Sequence, residues 1–90
     1  MYELIYRSVA KDDLNADDIE KILETARNFN FQNEITGCLL FHNNEFIQIL
    51  EGEKHKLLEL YDSIKKDKRH RNVMLLAEAE KQDRVFPNWS

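Results

Sequence analysis

The repeat of apolar residues switches between two and about 3.6 along the chain, and the order of those switches restricts the fold more than any single motif. Tyr2, Leu4 and Tyr6 alternate with Glu3, Ile5 and Arg7, the period of a strand. Ile19, Ile22, Leu23, Ala26 and Phe29 recur at helical spacing behind Asn15, an effective N-cap, with Asp17 and Asp18 where carboxylates suit the helix dipole. The spacing predicts a helix over about 16–28 and a polar link over 30–34. Ile35–Phe41 and Phe46–Leu50 read as two strands of a hairpin joined at 42–45, where Asn tolerates positive φ. Gly52 closes the second of these. From Lys54, the residues Leu57, Leu58, Tyr61 and Ile64 mark another helix, with Lys65 and Lys66 at its carbonyl end. A polar loop over 67–72, a strand over Val73–Ala79 and a loop-like tail carrying Phe86 and Trp89 complete the pattern.

That order, βαββαβ, predicts an α+β, ferredoxin-like sandwich with two helices on one face of a mixed sheet. The expected strand order is 4-1-3-2, with strands one and three as parallel central neighbours and both helices ending near one rim. Ninety residues suit a single domain over 1–90 with a modest core, since a small domain buries only about 60% of its unfolded surface.

Charge and composition exclude several classes. Thirteen Lys+Arg against seventeen Asp+Glu give a net charge of −4, the wrong sign for a chain that binds nucleic-acid phosphates. One cysteine makes neither an internal disulfide nor a thiolate metal site, and fits a reducing, cytoplasmic setting. No apolar run nears the ~20 residues of a membrane span, and the start has no signal-peptide pattern. Cys38 reads as a small core residue, His42 and His55 as solvated, and the three histidines as too scattered for a metal. The basic run Lys65–Arg71 reads as solvated apart from Arg69 and His70.

The less charged faces of strands one and three are Tyr2, Leu4, Tyr6 and Phe46, Gln48, Leu50, so Tyr6 and Gln48 share the helix-covered face. A buried tyrosine and a buried glutamine must satisfy their polar atoms. Either they bond each other within a core, or they present a hydrogen-bonding edge to a ligand between the helices. Asn30, Arg69 and His70 follow the two helices and reach the same place; the alternatives for them are helix capping and solvated charge.

Tyr6-Arg7-Ser8, Ala26-Arg27-Asn28-Phe29-Asn30, Ile35-Thr36-Gly37-Cys38-Leu39-Leu40-Phe41, Phe46-Ile47-Gln48-Ile49-Leu50-Glu51-Gly52, Asp67-Lys68-Arg69-His70 and Arg84-Val85-Phe86-Pro87-Asn88-Trp89-Ser90, in that order, resemble a BLUF domain, a blue-light sensor using flavin. The resemblance spans essentially the whole chain. It implies a flavin, FAD with FMN or riboflavin as alternatives, held between the two helices. It implies that Tyr6 is the redox-active tyrosine, passing an electron and then a proton through Gln48, which ends rotated or tautomerised. It further implies that Asn30 bonds the polar edge of the ring, that Arg69 and His70 flank it, that Ile22 and Ile64 sandwich it, and that Trp89 carries the signal. Phe29 stands where several members have a polar or imidazole side chain, leaving stacking but no hydrogen bond. The family's fifth strand and the helices that cover the outer sheet face are not found in these ninety residues.

The resemblance therefore implies a photosensory switch, not a turnover enzyme, signalling to a protein effector. An apolar outer face around Ile5, Ile47 and Ile49 leads to the expectation of a longer polypeptide or of self-association. A flavin-free interaction domain is the alternative. RNA binding on this fold would need open-face aromatics, and an acylphosphatase-like enzyme a glycine-bearing loop after strand one; Val9–Asp13 has none.

Overall fold

Asn43 and Asn44 take φ of 49° and 65°. The two-residue turn they make folds β2 (Thr36–His42) back on β3 (Glu45–Gly52) as a hairpin. Around it a computed structural model, which describes residues 1–89, places β1 (Tyr2–Ala10), α1 (Ala16–Gln32), α2 (Lys54–Lys66) and β4 (His70–Glu80). The sheet order is β2-β3-β1-β4, the expected 4-1-3-2 read from the other edge.

The three pairings among these four strands are antiparallel. This corrects the mixed sheet, and the parallel pairing expected of strands one and three. The crossover through α1 brings β2 back in the direction of β1; the Asn43–Asn44 turn then reverses the chain, and it is the reversed strand, β3, that lies beside β1. The same geometry corrects the shared rim. β2 begins near the Glu3 end of β1 and β4 begins opposite Ala10, so the two helices end at opposite ends of the sheet.

The alternation of faces is as the sequence predicts. Tyr2, Leu4, Tyr6, Phe46, Gln48 and Leu50 are all buried beneath the helices. Leu57 and Phe29 pack into the cluster around Tyr2, Leu4 and Leu50, while Ile22 joins Ala10 and Phe46. Asn15 caps α1 reciprocally: its side chain accepts from the Asp18 N–H at 2.9 Å, and its own N–H donates to the Asp18 carboxylate at 3.0 Å. α1 runs past residue 28 to Gln32, so Asn30 is inside the helix and not beyond it; Asn33 is the C-cap, donating to the Phe29 carbonyl. In α2 Leu58 is exposed and Leu60 faces the core instead, so the buried stripe is Leu57, Leu60, Tyr61 and Ile64. β4 starts at His70, which shortens the expected loop to Asp67–Arg69.

The outer face divides in two. Ile47, Leu40, Met74 and Leu76 are exposed towards one end. At the other, the tail after β4 lies over Glu3, Thr36 and Glu51. It then pairs with the edge strand through a parallel Gly37–Trp89 bridge. Gly37 has φ 151°, and a Cβ there would stand 1.8 Å from the Ile49 carbonyl oxygen. Gly37→Ala should lower the unfolding free energy by about 3 kcal/mol, through backbone displacement and loss of a permissive φ. An unchanged urea midpoint would show that the sheet absorbs the methyl group.

Candidate functional site

The two helices do not close over the centre of the sheet. Between them is a cleft of about 180 Å³, open at its mouth, floored by Tyr6, Gln48, Leu39 and Phe46. Ile22, Phe29 and Asn30 line it from α1, Leu60 and Ile64 from α2, and Asp67, Arg69 and His70 from the connection that follows. Its apolar walls with a few convergent polar groups are those of a small-molecule site.

Register explains the floor. Tyr6 lies directly opposite Gln48 in the β1–β3 pair, and the Gln48 Nε2 donates to the Tyr6 hydroxyl at 2.6 Å. The other end of the amide is also occupied, because the Trp89 indole N–H donates to Gln48 Oε1 at 3.0 Å. Burial pushes the Tyr6 phenol up to about 12; the Gln48 bond opposes the rise, and Asp67 and Tyr61 add to it. Tyr6 is thus a neutral phenol with its proton in place at any physiological pH.

At the α2 end, Arg69 is fastened to Asp67 by bonds of 2.7–3.1 Å. That pairing holds the Asp67 carboxyl below its ordinary range and the guanidinium above its own. His70 shares a hydrogen bond of 2.9 Å between its Nδ1 and the buried Ser8 hydroxyl. Burial pushes the imidazole down, against the opposing pull of Asp67, and Arg69 adds to the fall. The ring is therefore neutral near pH 7, with its second nitrogen left for another partner.

The family model described as "BLUF: Sensors of blue-light using FAD" matches residues 1–90. The chain belongs to the BLUF family. It is 40% identical over 73 residues to the blue light- and temperature-regulated antirepressor BluF of Escherichia coli K12, covering 81% of this chain and 18% of that protein. A bacterial light-regulated adenylyl cyclase superposes with a TM-score of 0.92 at 38% identity, over 98% of this chain and 26% of its own. The dark-state structure of BlrB, a BLUF protein, gives 0.91 at 32% identity, over 98% and 67%. This chain thus spans well under a third of the antirepressor and of the cyclase. The BLUF domain is a flavin-using blue-light sensor, and relatives couple it to signalling proteins.

The residues fit that cofactor. A flavin ring is flat and largely apolar, with one edge of alternating carbonyls and N–H groups. Ile22 and Phe29 face Leu60 and Ile64 across the cleft as apolar walls. Asn30 is fully buried, and neither its Oδ1 nor its Nδ2 has a hydrogen-bond partner within the chain. Asn33 already caps the helix, which removes capping as a reason for Asn30. A buried amide with both ends unpaired is costly, and a ligand edge offering one donor and one acceptor would satisfy it. Every cofactor-contact residue expected from the resemblance lines this cleft, with Asn30 and the Arg69–His70 pair approaching from opposite ends. Trp89 does not line the cleft; it reaches the site through its bond to Gln48 and its packing against the core cluster that contains Tyr6.

Two participants escape the sequence reading. Asp67 fixes the Arg69 fork, and its signal was its position two residues ahead of an arginine. Ser8 orients His70 from 62 positions away, a pairing that only the β1–β4 register makes visible.

Asn30→Ala should separate stability from binding. Without ligand, the variant should unfold at the same or a higher urea concentration, because an unpaired buried amide is gone. Its affinity for FAD should fall by one or two bonds, each about 0.5–1.5 kcal/mol. A parallel urea and fluorescence titration reads both; unchanged affinity would return Asn30 to a packing role.

Proposed function

We propose that residues 1–90 form a single flavin-binding photosensory domain in which Tyr6 is the electron donor and Gln48 the element that stores the signal. A flavin in the cleft supplies, on absorbing blue light, an oxidant able to take an electron from a phenol. Tyr6 is suited to that loss, being buried, neutral and already bonded to an amide. Nε2, which now donates to Oη, cannot take up the phenolic proton, so its passage through Gln48 requires the amide to turn Oε1 towards the hydroxyl; electron and proton then both return to restore the phenol. The lasting change is in Gln48. Rotation of its amide about χ3 exchanges Nε2 and Oε1, so that Oε1 now accepts from the Tyr6 hydroxyl. Nε2 then faces the Trp89 indole, which only donates, and that hydrogen bond is lost. The shape of the side chain scarcely changes while the donor–acceptor pattern reverses.

The observation that carries this reading is the Tyr6–Gln48–Trp89 chain, with both ends of a single amide in use. Asn30, Arg69 and His70 hold and orient the ring edge, while Ile22, Phe29 and Ile64 keep water from its faces. The domain itself turns over no substrate. Its output passes to a protein effector, or to a second copy, through the outer sheet face where Leu40, Ile47, Met74 and Leu76 are exposed. No described helix is long and apolar enough to cross a membrane, and together with the free thiol of Cys38 this supports action in the cytoplasm.

Tyr6→Phe should retain flavin and lose the light-induced absorbance shift, because the ring volume is kept and the donor hydroxyl removed. Gln48→Leu should behave alike, having no donor and acceptor to exchange. A wild-type photocycle in either variant, read by difference absorbance after blue illumination, would remove that residue from the mechanism.

A further inference from the structure

One carboxylate on the outer sheet face is buried to 0% exposure. Glu51 is three residues along β3 from Gln48 and on the opposite face. Its oxygens accept from the backbone N–H groups of Val85 and Phe86, each at 2.8 Å, from the Lys81 ammonium and, more weakly, from the Thr36 hydroxyl at 3.4 Å. Burial alone would raise this carboxyl, but Lys81 and the two amides outweigh it and hold it below the usual range. Lys81 also reaches Glu3 at 3.1 Å. Arg84 clamps the same stretch from outside, donating to the Glu34 carbonyl and the Thr36 hydroxyl at 2.7 Å each and to the Glu51 carbonyl at 3.1 Å.

This network leads to Trp89. Beyond Phe86 the tail runs along edge strand β2, where the Gly37 N–H donates to the Asn88 carbonyl at 3.2 Å. It ends with the indole on Gln48. The described residues of the tail form no helix or strand of their own, so the indole, which packs against the edge of the core cluster, is held in place along the chain by the anchor at Glu51, the Arg84 clamp and that backbone bond.

We propose that Glu51 is a positioning residue for the Gln48 switch: its carboxylate pins residues 81–86 to the outer face, and that anchor sets where the Trp89 indole stands against the Gln48 amide. This deepens the flavin-switch reading and rests on it only for its optical arm. Linkage makes the coupling reciprocal, so losing the indole bond at Gln48 weakens the hold on Glu51 by the same factor. β3 is then the lever, carrying the switch on one face and the latch on the other.

The test uses the full chain with FAD in the dark and the variants Glu51→Gln and Arg84→Ala. The protein has one tryptophan, so its indole N–H resonance is identified without assignment. Hydrogen exchange at that indole and at the Gly37 amide should accelerate about tenfold in both variants, as expected for losing one charge-assisted bond worth about 1.4 kcal/mol. Amides of the central β1–β3 ladder, such as Ile49, should not accelerate. The light-induced absorbance shift should shrink, because the indole no longer favours one orientation of the amide. Unchanged indole exchange in both variants would overturn the proposal, and so would equal acceleration at Ile49, which would make Glu51 a support of the whole fold. Should Glu51→Gln fail to fold by circular dichroism, the surface variant Arg84→Ala decides alone. Protein that takes up no FAD would refute the flavin reading while the exchange measurement still judges the anchor.

Discussion

A glutamine amide offers a donor and an acceptor at one end of a short side chain, and in this domain both are occupied. The bond from Gln48 Nε2 to the Tyr6 hydroxyl and the bond from the Trp89 indole to Gln48 Oε1 select one orientation out of two that are equal in shape. The rest of the architecture serves that selection. The antiparallel register of β1 and β3 sets Tyr6 opposite Gln48, the helices bury the pair, and the tail carries the indole to it. In water, neither bond would hold its partner in place; within a buried site each is electrostatically stronger, and an alternative pairing has to be equally complete to compete.

The buried polar groups of the domain divide into paired and unpaired. Glu51, Ser8, Gln48 and Tyr6 all find partners within the chain. Asn30 does not. A fold that satisfies four such groups and leaves one open at the cleft carries an unmet donor and acceptor that a ligand there would satisfy, and ligand binding to the folded form alone would add stability by mass action. The Asp67–Arg69 pair contributes differently. It is half-exposed, so its worth lies less in stability than in holding a guanidinium fork in one direction at the mouth of the cleft.

Much of this was legible in the alternation of residues. A period of two assigns faces without any knowledge of partners, which is why Tyr6 and Gln48 could be placed beneath the helices and why the Asn43–Asn44 turn was plain. Strand direction was not so readable, because periodicity is blind to it; the parallel pairing of strands one and three failed when the hairpin inserted its reversed strand next to β1. The end of α1 was placed too early because Asn30 reads as a terminator by composition, although Asn33 is the residue that caps. Continuing the alternation past Leu50 puts Glu51 on the outer face, but its burial does not follow from that. Alternation says which way a side chain points but not whether a distant segment will return to cover it, and the covering residues begin 30 positions later.

The position of β1 at the centre of the sheet has a consequence for how the domain is made. Tyr2 pairs with Gly52 on one side and Glu80 on the other, so the first strand to be synthesised is the last to be enclosed. The β2–β3 hairpin closes through a two-residue turn and can form on the microsecond scale. Both pairings of β1 must wait for loop closures between partners such as Val9 and Glu45 on one side and Tyr2 and Glu80 on the other, and such long-range closures slow folding. The cleft inherits this order. Its floor joins β1 to β3, and its far wall needs His70 to reach Ser8 across 62 residues. A cofactor therefore has no complete pocket to enter until nearly the whole chain has emerged and folded, and it acts as a late lock on a finished structure, with no part in guiding its assembly.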